Sequence, residues 1–503
     1  MYSINRRKFL ILSSGAAGSA LLTHCANSPV ASVPARPPLS IATTNHDGLL
    51  EVALEASSSL INLGDQQGHC LTYNGTIPGP RLEAKPGDTV RIHFRNRLEQ
   101  PTNLHYHGLH IPPIANADNI FLSVSPGDTF SYEFTLPQSH PAGTFYYHPH
   151  LHGAVAEQVF GGLGGIFVVR GELDDIPEIQ TAKEEFLFLK DFAFDANGQI
   201  SLPGHMDLMQ GREGTILTVN GQVNPTLSLK SGELLRLRLI NASASRFYRL
   251  QLEQHPFYLI ATDGGAIAQP IELQELLLSP GERAEVLVQG TQPPGQYRLL
   301  NLPYDRGGMG MMGGGMMGGG MMGGGMMHHG STSPAQFPQN TPQILATLSY
   351  QGSTDPQLLP QQLIAVKLLP EPVHTRRIEL SMSMGMSSGM GMKMAFLFNG
   401  KEFDMDRVDA TVKLGTIEDW ELINLDPDGM EHSFHLHTNP FQIVSRNHQP
   451  ESYPAWKDTV RIRANETVRI RIPFQDYPGR TVYHCHVLDH EDLGMMGLVD
   501  IQA

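Results

Sequence analysis

The chain has 503 residues, more than one hydrophobic core usually serves, so two to four domains are expected. With 40% hydrophobic and only 17% charged residues, it has the composition of a folded protein rather than a disordered one. The formal net charge of −15 argues against nucleic acid or an anionic membrane as partner and is compatible with a cationic substrate.

The first feature along the chain is a leader. Asn5-Arg6-Arg7-Lys8-Phe9-Leu10 resembles a twin-arginine export signal, and a mild apolar run follows from Phe9 to Leu22. That run is too short to span a bilayer comfortably, and no other segment reads as transmembrane. Residues 1–30 are therefore expected to direct export, to the periplasm, with an ordinary secretory signal as the alternative. Leu21-Leu22-Thr23-His24-Cys25 faintly resembles a lipoprotein box, through which Cys25 would carry a lipid anchor, but His24 fits that pattern poorly.

High glycine (51) and proline (36) imply many turns and many short strands. An internal repeat orders them. Asn74-Gly75, Gly87-Asp88, Arg91 and Asn96 recur as Asn220-Gly221, Gly232-Glu233, Arg236 and Asn241, and again as Asn399-Gly400, Gly415-Thr416 and Asn424. Between the loop glycine and the last asparagine the apolar residues alternate: Val90, Ile92, Phe94, then Leu235, Leu237, Leu239, then Trp420, Leu422. That predicts a half-buried strand entered through a glycine turn. Each copy is long enough for a Greek-key β-sandwich, so an all-β protein of three consecutive sandwiches is expected, over residues 45–172, 180–350 and 375–503. The second would end in a Met/Gly-rich insert at 307–330.

Four histidine clusters carry the chemistry. They are His105-Tyr106-His107-Gly108, His148-Pro149-His150, His432-Ser433-Phe434-His435-Leu436-His437, and His484-Cys485-His486 with His490 and Met495 beyond. Successive side chains of a strand point to opposite faces, so an HxH pair presents both imidazoles on one face. Two such strands from each of two domains can enclose a metal cluster at a domain interface. In His484-Cys485-His486 the cysteine faces its own domain while both histidines face the interface. One cysteine, two histidines and a weak axial methionine form a blue-copper ligand set, here Cys485, His490, Met495 and the leftover His432. Zinc competes less well for one thiolate with a thioether beside eight further histidines. A disulfide framework is not expected from three cysteines, and Cys70 reads as an inert buried thiol. His110 and His152 read as packing residues.

On these motifs the chain resembles the multicopper oxidases, the laccases and bacterial copper-efflux oxidases. The phrases Tyr73-Asn74-Gly75-Thr76-Ile77-Pro78-Gly79-Pro80 and Trp456-Lys457-Asp458-Thr459-Val460 are also similar to that family. The resemblance implies three cupredoxin-like domains and four coppers per chain: one type 1, one type 2 and two type 3. It places type 2 copper on His105 and His435. It places one type 3 copper on His107, His148 and His486, and the other on His150, His437 and His484. The type 1 copper falls to His432, Cys485 and His490 with Met495 axial. Glu491 and Asp118 would relay protons to the cluster, a plain surface carboxylate being the alternative for Asp118.

Two features bear on the reductant. Nine methionines fall in 309–327, followed by His328 and His329, and six more in 382–394. Soft thioethers select Cu(I), and a glycine-rich run is not a compact core. Asp428 and Met430 precede His432, where copper-efflux oxidases show a similar pair for substrate Cu(I). The expectation is a monomeric oxidase of Cu(I), and also of small phenols or aromatic amines, with O2 as acceptor and a role in copper tolerance. The alternatives are a general laccase, and a copper-binding protein without turnover.

Overall fold

The computed structural model describes residues 40–307, 341–386, 392–426 and 429–503. The leader, the Met-rich run 309–327 and Asp428 lie outside the described residues. Strands dominate, and the described sheets fall into three pairs, one pair per repeat. In the first repeat a four-stranded sheet (Gln66–Tyr73, Leu49–Leu63, Thr89–Asn96, Thr129–Thr135) accompanies a five-stranded one ending on Gly143–His148 and His105–His107. The second pairs six strands with five. In the third, a seven-stranded sheet accompanies a five-stranded one that holds Gly479–Cys485 beside His432–Leu436. No helix among the described residues is long and apolar enough to cross a membrane.

The repeated Asn-Gly has a local cause. Asn74, Asn220 and Asn399 sit at φ of 54°, 53° and 51°, each followed by a glycine also at positive φ, as a tight hairpin turn requires. Each asparagine also accepts a backbone N–H from another strand: Glu55 at 2.7 Å, Phe188 at 2.9 Å and Glu379 at 2.8 Å. The second repeated asparagine ties its own loop. Asn96 Nδ2 donates to Gln100 and Val124 carbonyls, Asn241 Nδ2 to those of Arg246 and Leu278, and Asn424 Nδ2 to that of Met430. Three copies thus keep these residues because each satisfies the same backbone groups.

The repeated strand behaves as expected in two copies and differs in one. Thr89–Asn96 alternates exposed or half-buried with buried positions. Leu234–Asn241 is buried along its whole length. The central repeat is covered on both faces, and the positions that alternation leaves for solvent hold Arg236 and Arg238. Arg238 is fully buried and pairs with Glu184 and Glu285, both at 2.6 Å, while Arg236 pairs with Glu285 at 2.5 Å. A buried charge persists only when paired and hydrogen-bonded in this way.

The third repeat's core packs around Trp420, whose indole N–H donates to Glu418 at 2.9 Å. Trp420→Ala is expected to cost about 3–5 kcal/mol, the range for emptying a fully buried aromatic site. Chemical denaturation of the variant measures this directly; a loss below about 1 kcal/mol would contradict the packing. Cys70 and Cys485 are both free and buried. Burial pushes the Cys70 thiol up to about 12, which keeps it protonated and unreactive.

Candidate metal centre

Strand alternation builds the site. His105–His107 pairs with Gly143–His148, so that His105 lies opposite His148 and Tyr106 opposite Tyr147. The imidazoles face away from the first repeat's core, while Tyr106 and Tyr147 enter it. His432–Leu436 pairs with Gly479–Cys485, so that Phe434 lies opposite Cys485 and His435 opposite His484. Phe434 and Cys485 enter the third core; His435 and His484 face the other way. Short helices key the two repeats together. Asp492, on Leu488–Asp492, accepts the N–H groups of Gly153 and Ala156 at the start of Val155–Gly161, both at 2.8 Å.

The result is one cluster of eight buried imidazoles from two repeats. Three sets bring their donor atoms within 4.8 Å of one another: His105, His107, His435; His107, His148, His486; and His150, His437, His484. His105 stacks on His437 with ring centroids 3.8 Å apart, and His107 on His435 at 3.7 Å. A second place joins His432, Cys485 and His490, whose Nδ1 atoms lie 3.6 Å and 3.8 Å from the Cys485 Sγ. Met495 is buried in the same core.

The protonation pattern suits a metal. Burial holds His105, His107, His148, His150, His437, His484 and His486 below the usual imidazole range, in the neutral form that binds metals. Outward nitrogens are committed elsewhere: His105 Nδ1 donates to Asp118 at 2.8 Å, His435 Nδ1 to the Asp458 carbonyl at 2.8 Å, and His148 Nδ1 to the Pro149 carbonyl at 2.9 Å. The inward Nε2 atoms of His105 and His435 are buried with no partner. The Nε2 of His484 lies 3.1 Å from those of both His150 and His437. Orphaned lone pairs converging in a dry site call for a cation between them.

Two carboxylates border the cluster. Asp118, only 2% exposed, sits against His105, and burial pushes its carboxyl up to about 8. Glu491 Oε2 lies 2.8 Å from His484 Nδ1, and burial pushes this group up to about 7. Around the Cys485 place, His490 Nε2 donates to the Met209 carbonyl at 3.0 Å, and Phe396 stacks on the His490 ring at 3.8 Å. Met430 is buried in the core with Cys485 rather than presented on the surface. His110 donates to the Thr438 carbonyl and His152 packs on Phe403, both outside the cluster. Sequence reasoning assigned no role to Asp458 or Thr459, although both contact His107 Nε2 at 3.0 Å. The phrase Trp456-Lys457-Asp458-Thr459-Val460 marks them as similar to the family, but the contact itself is not legible in the sequence, because His107 lies 351 and 352 residues away.

Family profiles described as multicopper oxidase match residues 56–174, 190–310 and 376–503. The chain belongs to the multicopper oxidase family. It is similar to multicopper oxidase mco of Staphylococcus haemolyticus, at 26% identity over 86% of this chain and 83% of that one. It is similar to cell division protein FtsP of Photorhabdus laumondii, at 29% over 84% and 83%. It is also similar to the laccase of Bacillus subtilis, at 25% over 85% and 89%. Among solved structures, the Campylobacter jejuni multicopper oxidase, described as a metallo-oxidase, superposes with a TM-score of 0.78. It is 32% identical, over 93% of this chain and 96% of that one. The fold is thus three cupredoxin-like domains, and the protein is a copper-dependent oxidoreductase with O2 as acceptor, using type 1, type 2 and type 3 coppers.

Proposed function

We propose that this protein is an exported cuprous oxidase with a role in copper tolerance, and that the residues brought together above hold its coppers. His432, Cys485 and His490, with Met495 axial, take the type 1 copper, and His105 and His435 take type 2. His107, His148 and His486 take one type 3 copper, and His150, His437 and His484 take the other. When bound, the coppers supply one-electron oxidation of substrate at the Cys485 place and four-electron reduction of O2 to water at the histidine cluster. The chain links the two. Cys485 is covalently flanked by His484 and His486, so a continuous bonded path joins the sulfur to imidazoles of both type 3 sets. Glu491, at about 7, both holds and releases a proton near neutral pH beside His484 Nδ1. Asp118 does the same beside His105 Nδ1, and Asp458 and Thr459 orient His107.

One observation carries the choice of Cu(I). The described chain ahead of the Met-rich run passes beside the type 1 place: the Arg306 carbonyl accepts the Glu431 N–H at 3.0 Å, one residue before His432, and Met309 follows Arg306 by three positions in the sequence. Tethered soft ligands raise the local concentration of a soft cation. The twin-arginine-like leader supports export to the periplasm, where copper would be met, and the metallo-oxidase description of the Campylobacter jejuni relative agrees with a metal substrate.

Deleting 309–329 is expected to lower Cu(I) oxidation at low copper while leaving phenol oxidation unchanged or raised. Asp428→Ala is expected to impair Cu(I) oxidation as well, at docking rather than capture. Steady-state O2 uptake with each reductant measures both. Unchanged Cu(I) kinetics in both variants would replace this reading with that of a general laccase.

A further inference from the structure

The second repeat supplies none of the proposed copper ligands, yet one of its side chains bonds a carboxylate that contacts the histidine cluster. Arg283 begins the strand Arg283–Gln289 and is 1% exposed. Its guanidinium donates to Asp458 of the third repeat as a fork, at 2.7 Å to Oδ1 and 2.5 Å to Oδ2. Its remaining N–H groups donate to the carbonyl of Thr144, in the first repeat, at 3.2 Å, and to those of Gly281 and Asp263 at 3.0 Å. One side chain therefore contacts all three repeats. A planar fork with every donor satisfied has a single orientation, which a lysine cannot reproduce.

Asp458 passes that orientation on. Its Oδ1 accepts from His107 Nε2 at 3.0 Å and from Thr459 Oγ1 at 2.8 Å. A carboxylate on Nε2–H fixes the imidazole tautomer and leaves Nδ1 as the free lone pair. His107 Nδ1 is indeed the atom turned inward, 3.4 Å from His148 Nε2. For His105 and His435 the reverse holds: their Nδ1 atoms are bonded outward and their Nε2 atoms are left free. The turn before Arg283 also abuts the cluster. A Cβ on Gly281 would lie 2.9 Å from the His486 ring and 3.1 Å from that of His107.

We propose that Arg283 is a positioning residue for the trinuclear copper site, acting through Asp458 to make His107 bind through Nδ1 and so setting the spacing of the type 3 pair. This rests on the assignment of His107 as a type 3 ligand. The second repeat then does more than connect its neighbours: it sets ligand geometry across the interface.

The test compares Arg283→Lys, Arg283→Met and Asp458→Asn with the parent, as copper-loaded full-length protein. The readouts are copper per chain, visible colour and electron paramagnetic resonance, with circular dichroism to establish folding. The folded variants are expected to keep the blue type 1 signal. They should lose the magnetically silent type 3 pair, as extra resonance-visible copper or as a loss of up to two coppers per chain. Turnover should fall by about 10–100-fold, the usual effect of removing a group that orients a ligand. Arg283→Lys should sit between parent and Arg283→Met. Folded variants with parental copper content and resonance would overturn the proposal. Failure of all three to fold would also overturn it, because the link would then be a folding element. His107→Gln, run in parallel, separates the two claims: if it keeps the silent pair, the ligand assignment is wrong rather than the link.

Discussion

Cys485→Ser is expected to give a folded, colourless protein with one copper fewer per chain and no measurable oxidase turnover. The intense blue colour of a type 1 site belongs to the copper–thiolate bond, and Cys485 is the one thiol within reach of His432 and His490 among the described residues. A serine hydroxyl does not ionise at neutral pH, so it replaces a soft anionic ligand by a weak neutral one. The fold should survive, because serine is nearly isosteric with cysteine and the exchange leaves the surrounding core side chains in place. The other coppers should remain, because four of the eight cluster imidazoles lie on the opposite face or at the ends of these strands and the other four belong to the first repeat. Only the electron supply is cut. Copper analysis with a visible spectrum decides the matter: a variant that stays blue would remove Cys485 from the type 1 site.

Replacing His105 or His435 by alanine should have the complementary effect. The protein should stay blue, be reduced by substrate, and then fail to reoxidise in air. Each contributes an otherwise unpartnered Nε2, and each stacks on a neighbour assigned to a type 3 copper. Loss of either leaves the type 2 copper with one protein ligand and removes a wall from the cluster. Losing a direct ligand should slow reoxidation by more than the ~100-fold that marks the upper end for groups acting behind a ligand. Stopped-flow reduction followed by exposure to O2 separates the two half-reactions. Normal steady-state turnover in either variant would contradict the type 2 assignment. The ordinary rate of the first half-reaction is the internal control, since His432, Cys485 and His490 are untouched.

Much of this is legible in the sequence because it depends on backbone periodicity alone. A two-residue period forces His105 and His107, or His484 and His486, onto one face and Cys485 onto the other, whatever the surroundings. The repeated Asn-Gly is equally local: a tight turn needs positive φ, and those two residues tolerate it. Three repeats and four histidine clusters therefore announce an all-β copper protein by themselves.

What periodicity does not contain is which face meets which. Leu234–Asn241 carries the same alternation as Thr89–Asn96, yet it is buried throughout, because the central repeat is covered on both sides and Arg236 and Arg238 find carboxylates there. Asp118 could have been a surface carboxylate; the packing of its loop against His105 made it a buried group at about 8. Met430 follows the pattern of a substrate contact in sequence and lies buried in the core that also holds Cys485. Arg283 and Asp458 stand 175 residues apart and show no shared motif. Their pairing arises only when three domains close on one another, since a buried guanidinium is stable only where a carboxylate from another part of the chain arrives to meet it.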